Sequence, residues 1–271
     1  MFKFQKLSNY GSGTPAVART VLQAKPIIDM FNCSEEQRTA LMEKLFDLQR
    51  HLLKCVECRD SLSAEIEAEL AAYVIPQPVE RARGAYSLPG VGDLQSKGDT
   101  FLQSAKLAIA ATGNMIEPFY GKGFGHKYHQ FDTWAKTQFD AGDPFIDSIT
   151  RAIPFVKKIV QMRNAVDHPG SEPGAPLVYA NFDLEQVDGA PVLMMPRWSL
   201  AGEQLRPMLD DFDQIIEGII SLGEQLLVHL FEKFRIAAML VIAEIPAAQR
   251  SPDRPIRLTV TVAGHVPAAS D

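Results

Sequence analysis

The chain has 271 residues, 46% of them hydrophobic and 22% charged, with a formal net charge of -6. That length supports a sizeable core in one large domain or two small ones. The acidic balance excludes a generic nucleic-acid coat, which is strongly basic, but leaves room for an enzyme that touches a few phosphates locally.

Three cysteines, an odd number, argue against a disulfide framework and suit a reducing compartment. The opening MFKFQKLSNYGSGTP lacks the apolar core of a signal peptide. The most apolar stretch, IAAMLVIAEIPAA, carries Glu244 and Pro246 and is shorter than the roughly 20 residues that span a bilayer. A soluble cytoplasmic protein is expected.

In chain order, Gly11, Gly13 and Pro15 argue against an early helix. Ser34-Glu35-Glu36-Gln37 has the spacing of a capping box. Leu41, Leu45, Leu48, Leu52, Cys55, Leu62, Ile66 and Leu70 then recur at helical spacing, which predicts one long helix over about 35–74. Prolines and glycines over 76–98 predict a long loop, and a second helix is expected from about Asp99 to Glu117.

Asp143-Pro144 is a further start signal, an N-cap followed by proline at the first helical position. Phe145, Ile149, Ile153, Val156, Val160 and Arg163 share one stripe of that third helix, with Pro154 expected to kink or divide it. Leu177–Phe182 and Val192–Met195 read as two short antiparallel strands about a turn at Asp188-Gly189. A last helix, from about Glu203 or Arg206 to about 243, carries Leu205, Leu209, Phe212, Ile216, Ile219, Leu226, Leu230 and Phe234. Alternation of Ile256, Leu258, Val260 and Val262 with Arg257, Thr259 and Thr261 predicts a final strand.

The expected fold is mainly α: a helical bundle of four main long helices with a small β-hairpin insertion at 177–197 and a short C-terminal strand. Residues 1–245 would form a single domain. Residues 246–271 would form a tail, with one strand added to the hairpin.

The stretch QMRNAVDHPG, Gln161 to Gly170, holds the densest chemistry. Pro169 biases His168 away from helical backbone, so the helix should finish near Asp167. On a continued helix Arg163 and His168 would lie about 140° apart. An extended His168 is free to swing towards Arg163 or Asn164.

Arginine is a permanent cation whose planar fork suits phosphate oxygens. Histidine accepts or donates a proton near neutral pH, and asparagine orients a hydroxyl or phosphate. These are the parts for transesterification at RNA. His168 would take the proton from a ribose 2′-OH, and Arg163 would stabilise charge on the phosphoryl oxygens, without a metal. The plainer reading is a helix end where Arg163 and His168 face the negative end of the dipole and Arg163 pairs with Asp167.

Arg163-Asn164-Ala165-Val166-Asp167-His168 resembles the R-x4–6-H motif of the HEPN superfamily, in the form with a polar residue after the arginine. HEPN domains are small helical bundles that carry this motif where a core helix meets its following loop. The helical plan over roughly 35–240 is similar to that layout, while the β insertion and the tail are additions to it. The resemblance implies a metal-independent endoribonuclease leaving a 2′,3′-cyclic phosphate. Catalysis would fall to Arg163, His168 and Asn164. The resemblance also implies a homodimer with the motif at its interface and a role in toxin–antitoxin or defence systems, an antitoxin protein being one partner. Binding-only members imply the alternative, a non-catalytic module for nucleotide, RNA or protein. A third reading is a plain helical scaffold.

GKGFGHKYHQF, Gly121 to Phe131, interleaves Lys122, His126, Lys127 and His129 with aromatics. It matches no P-loop and reads either as a flexible connection or as an RNA-contacting loop. Residues 76–130 hold six basic and four acidic residues, a local surplus in an acidic chain. His51, Cys55 and Cys58, with Cys33, have metal-ligand chemistry, but Cys55 continues the leucine stripe and core packing is expected; no metal or cofactor is implied. Asp210, Asp211 and Asp213 are expected on a solvated face, and Arg197-Trp198 is expected to pack on the helices.

Overall fold

The computed structural model describes residues 9–73, 87–167 and 175–264. His168, Arg81 and Arg83, and residues 76–86 of the loop expected at 76–98, lie outside them. The chain is mainly α with small sheets. In chain order, α1 (Pro15–Val17) passes through a π-helical turn (Ala18–Leu22) into α2 (Gln23–Ile28). Then come α3 (Glu35–Ala72), α4 (Leu94–Gly113), α5 (Glu117–Tyr120), α6 (Tyr128–Gln138) and α7 (Pro144–Asp167). Five strands follow: β1 (Leu177–Ala180), β2 (Asp183–Val187), β3 (Ala190–Met194), β4 (Arg197–Leu200) and β5 (Arg206–Pro207). The chain continues as α8 (Met208–Phe234), β6 (Leu240–Glu244) and β7 (Leu258–Val262). No helix of the described residues is long and apolar enough to cross a membrane.

Local signals set the helix starts. The Gln37 N–H donates to Ser34 Oγ at 3.2 Å and the Ser34 N–H to Gln37 Oε1 at 3.1 Å, the reciprocal pair of a capping box. At α7, the Phe145 N–H donates to Asp143 Oδ1 at 2.9 Å. The helix then runs unbroken through Pro154, so the missing proline N–H removes one bond without dividing the helix.

The early helix is a departure from expectation. Pro15 sits at its first position, where a missing N–H goes unused, so the proline starts the helix instead of preventing it. α6 is another. Tyr128, Phe131 and Ala135 bury one helical face inside a stretch whose glycines suggested a loop.

The described residues gather into two compact units. The first holds the described residues 9–53, 107–156 and 216–264. Its core includes Phe31, Leu41, Leu45, Leu48, Tyr128, Phe131 and Phe231. His229 is buried against the Phe145 ring, 3.5 Å between centroids, and its Nε2 lies 3.2 Å from the Tyr120 hydroxyl. Burial holds this imidazole far below its usual pKa, at about 3, with the Lys233 ammonium adding to the effect and Asp143 opposing it.

Within the same unit Arg19 makes paired hydrogen bonds to Glu224, Nε to Oε1 at 3.0 Å and Nη2 to Oε2 at 2.6 Å. Its Nη1 reaches Glu217 at 2.6 Å, and Gln23 Nε2 also donates to Glu224. Although burial works against its charge, these carboxylates hold Arg19 above the usual guanidinium range.

The second unit holds the described residues 54–73, 87–106, 157–167 and 175–215. Phe101 stacks on Phe212 at 3.6 Å between centroids, and Trp198 packs edge-on to both. Trp198 is fully buried, and its indole N–H donates to Asp211 Oδ2 at 2.7 Å. Asp211, expected on a solvated face, is therefore buried, with Arg206 at 2.9 Å completing its pairing. Cys55 lies in the core of this unit.

The β insertion is two nested ladders rather than one hairpin. β1 pairs antiparallel with β4, and β2 with β3; β5 adds to β4. The inner turn is at Asp188-Gly189, both with positive φ, 51° and 79°, as a two-residue hairpin turn requires. Asn181 separates β1 from β2 because its side chain leaves the ladder to bond both the N–H and the carbonyl of Val91.

The C-terminal strand forms, but it pairs with β6 and not with the β2–β3 hairpin. Its partner is the segment read as the end of the last helix. α8 finishes at Phe234, whose carbonyl accepts the Asn32 N–H, and Arg235 forms a bridge with Phe31. The β-branched Val241 and Ile242 beyond it then extend.

Candidate functional site at the C-terminal end of α7

Arg163 lies in the last described turn of α7, half-buried, its side chain 14% exposed. Its Nε donates to Gln103 Oε1 on α4 at 2.6 Å, and its Nη1 pairs with Asp167 one turn on. Asn164 is exposed, and its Oδ1 accepts from Lys106 Nζ at 3.1 Å. Two turns before Lys106 on α4, Asp99 accepts the Tyr179 hydroxyl at 2.6 Å.

Asp99, Gln103 and Lys106 stand at i, i+4 and i+7, so one polar stripe of α4 meets Tyr179, Arg163 and Asn164 in order. The opposite face of α4 is apolar, with Phe101, Leu102, Ala105 and Ala108 buried. Gly98 makes room for the tyrosine: a Cβ there would lie 2.5 Å from the Tyr179 ring. Burial first, then the Asp99 carboxylate, raise the Tyr179 phenol above its usual range, and the Arg163 charge opposes them.

Arg163 and Asn164 thus share one site, with Lys106 bringing a second cation to it. The third residue of the sequence-predicted catalytic set, His168, lies just beyond the described end of α7.

The four expected substrate contacts fall in the other compact unit. Lys122 lies over the Phe124 ring at 5.2 Å. Lys127 and His129 are exposed and His126 half-exposed, with Lys127 just before α6 and His129 in its first turn. Their segment is pinned: the Phe124 N–H donates to the Gly113 carbonyl at 3.1 Å and the Gly125 N–H to Asn114 Oδ1 at 2.9 Å. A Cβ at Gly113 would lie 2.0 Å from the Gly125 carbonyl oxygen, so the segment packs directly on the end of α4.

Sequence reasoning missed Gln103, Lys106, Asp99 and Tyr179. The signal for the first three was present as polar residues at helical spacing within an otherwise apolar helix. Nothing local marks Tyr179, which β1 brings to α4 from 80 residues away. Among the described residues no group of His, Cys, Asp and Glu could hold a metal ion. Compared with protein-family models, curated proteins and solved structures, the chain matches none.

Proposed function

We propose that this protein is a metal-independent endoribonuclease of HEPN type, its longest helices forming a HEPN-like bundle, acting in the cytoplasm. In this reading His168 removes the proton from a ribose 2′-OH, and the 2′-oxygen attacks the adjacent phosphorus. The bond to the 5′-oxygen breaks, leaving a 2′,3′-cyclic phosphate and a 5′-hydroxyl that takes up a proton. Arg163 neutralises the charge growing on the phosphoryl oxygens, and Asn164 orients the phosphate. Lys122, His126, Lys127 and His129 contact RNA. A homodimer brings two motifs to one cleft, and an antitoxin protein would act by covering it.

The observation that carries the reading is the bracing of Arg163. It stands in the last described turn before His168, oriented from α4 by Gln103, with Asn164 and Lys106 beside it. The test is incubation with RNA in EDTA, beside Arg163→Ala and His168→Ala. Cleavage by the wild type, with a cyclic-phosphate end and loss in both variants, is expected. No cleavage of any RNA overturns the catalytic reading.

One observation favours the binding-only reading: the Nε and Nη1 of Arg163 are already engaged by Gln103 and Asp167. Under it, RNA or nucleotide would bind without turnover, and Arg163→Ala would weaken binding alone.

A further inference from the structure

The β6–β7 hairpin is a two-stranded sheet, and such a ribbon is marginal without a further strand or a packed face. No residue of either strand is fully buried, although Leu240, Val241, Ile242, Leu258 and Val260 are large and apolar. Ile236, Met239 and Val262 at the same end are 56%, 62% and 47% exposed.

The hydrogen-bond pattern shows which edge is open. The Ile245 N–H donates to the Arg257 carbonyl and the Ala263 N–H to the Met239 carbonyl, so odd-numbered residues of β6 face β7. The N–H and C=O groups of Leu240, Ile242 and Glu244 therefore point to the outer edge of β6. The outer edge of β7 is turned to α2, where Gln23 Oε1 accepts the Leu258 N–H at 2.7 Å. Among the described residues no strand pairs with the outer edge of β6.

That edge is its own complement. At Leu240 the N–H already donates to the Ala237 carbonyl, and the carbonyl accepts from Arg235 Nη1. Ile242 and Glu244 remain. A twofold axis at Ala243 sets Ile242 of one copy opposite Glu244 of the other, twice over, so that each pair exchanges two hydrogen bonds. The same register places the engaged Leu240 opposite Pro246, which has no N–H to leave unpaired. Glu244 meets no like charge across the axis, and its carboxylate is neutralised by Arg250 and Arg257 of its own chain.

We propose that two copies of this chain pair antiparallel along β6, about a twofold axis at Ala243, joining two hairpins into one four-stranded sheet. The mode is strand addition at an exposed edge, with the apolar side chains around it covered as the sheet doubles.

The test is the mass of the full chain by light scattering across a concentration series, with Ile242→Pro and Ala243→Cys. The wild type is expected to approach twice its 29.9 kDa. Proline at 242 removes an outward N–H and no bond to β7, so Ile242→Pro should stay monomeric with an unchanged thermal melt. Ala243→Cys needs no weakened fold to report. Facing Cα atoms at such a pair lie about 4.5 Å apart, within disulfide reach. Mild oxidation should cross-link it into a dimer, while Val241→Cys and the wild type stay uncross-linked. A wild type that is monomeric at every concentration overturns the proposal. So does a dimer that survives Ile242→Pro without cross-linking through Ala243→Cys. RNA cleavage plays no part in this readout, so its failure leaves the cleavage chemistry standing; a monomeric wild type would remove only the motif-sharing homodimer from that reading.

Discussion

Arg19 and Arg163 each stand against a carboxylate, and their settings differ. Arg19 is 10% exposed and its partner Glu224 5% exposed, and the two meet across 205 residues of sequence. Every bond there belongs to the fold: Gln23 also donates to Glu224, and Arg257 lies 3.5 Å from it. Arg163 pairs instead with Asp167, four residues along its own helix and 38% exposed, and with exposed Gln103. A helical pair of this kind contributes only about 0.3–0.5 kcal/mol. The two guanidiniums are similarly covered, 10% and 14% exposed; the burial and sequence distance of the carboxylate partner divide a structural arginine from one whose local partner can be exchanged for a phosphate oxygen at small cost. This contrast supports assigning RNA chemistry to Arg163 and stability to Arg19.

The contrast is open to direct attack. The largest effect is expected at Glu224. Glu224→Ala strands Arg19 without its main partner and should lower stability by about 3–5 kcal/mol in urea titration. A loss below about 1 kcal/mol would place Arg19 in the same weak class as Arg163.

Next is His229, another group whose role is set by burial. Its folded pKa of about 3 is below the ordinary value of 6.5, so the unfolded chain binds its proton first. Stability from the neutral imidazole is therefore complete above about pH 6.5 and falls as pH drops towards 3, with a slope of up to about 1.4 kcal/mol per pH unit. Asp143 and Lys233, which act on it, remain in His229→Gln. That variant should lose most of this slope between pH 6.5 and 4.5; an unchanged slope contradicts the assignment.

The smallest stability effects are expected at the candidate site. Arg163→Ala should change stability by about 1 kcal/mol or less, a few degrees in Tm at most. Asp167→Asn should change it by about 0.5 kcal/mol or less while freeing Arg163, so RNA affinity should rise in filter binding. Weaker RNA binding in Asp167→Asn would show that the carboxylate serves the site instead of competing for its arginine.

The same division explains what could be read from the amino acids. The capping box at Ser34 and Gln37, the N-cap at Asp143 and the turn at Asp188-Gly189 each depend on neighbours within a few residues, so their local chemistry was sufficient. The pairing of β1 with β4 and of β6 with β7 depends on distant partners, and alternation alone marks a strand without naming its mate. α8 stops at Phe234 although its apolar stripe continues into 240–243; the residue that bonds its last carbonyl, Asn32, lies 202 residues upstream. Within the candidate site, the motif is what singles out Arg163 and Asn164. Gln103, Lys106 and Tyr179 were not singled out, because packing of α4 and β1 gives those residues their place.

The most direct measurement sets RNA cleavage in EDTA beside thermal stability for the wild type, Arg163→Ala and His168→Ala. The predicted result is cleavage by the wild type alone, with all three proteins melting within a few degrees of one another. Absence of cleavage by the wild type, or a collapse of stability in Arg163→Ala, would contradict the assignment of Arg163 to chemistry and return it to the fold.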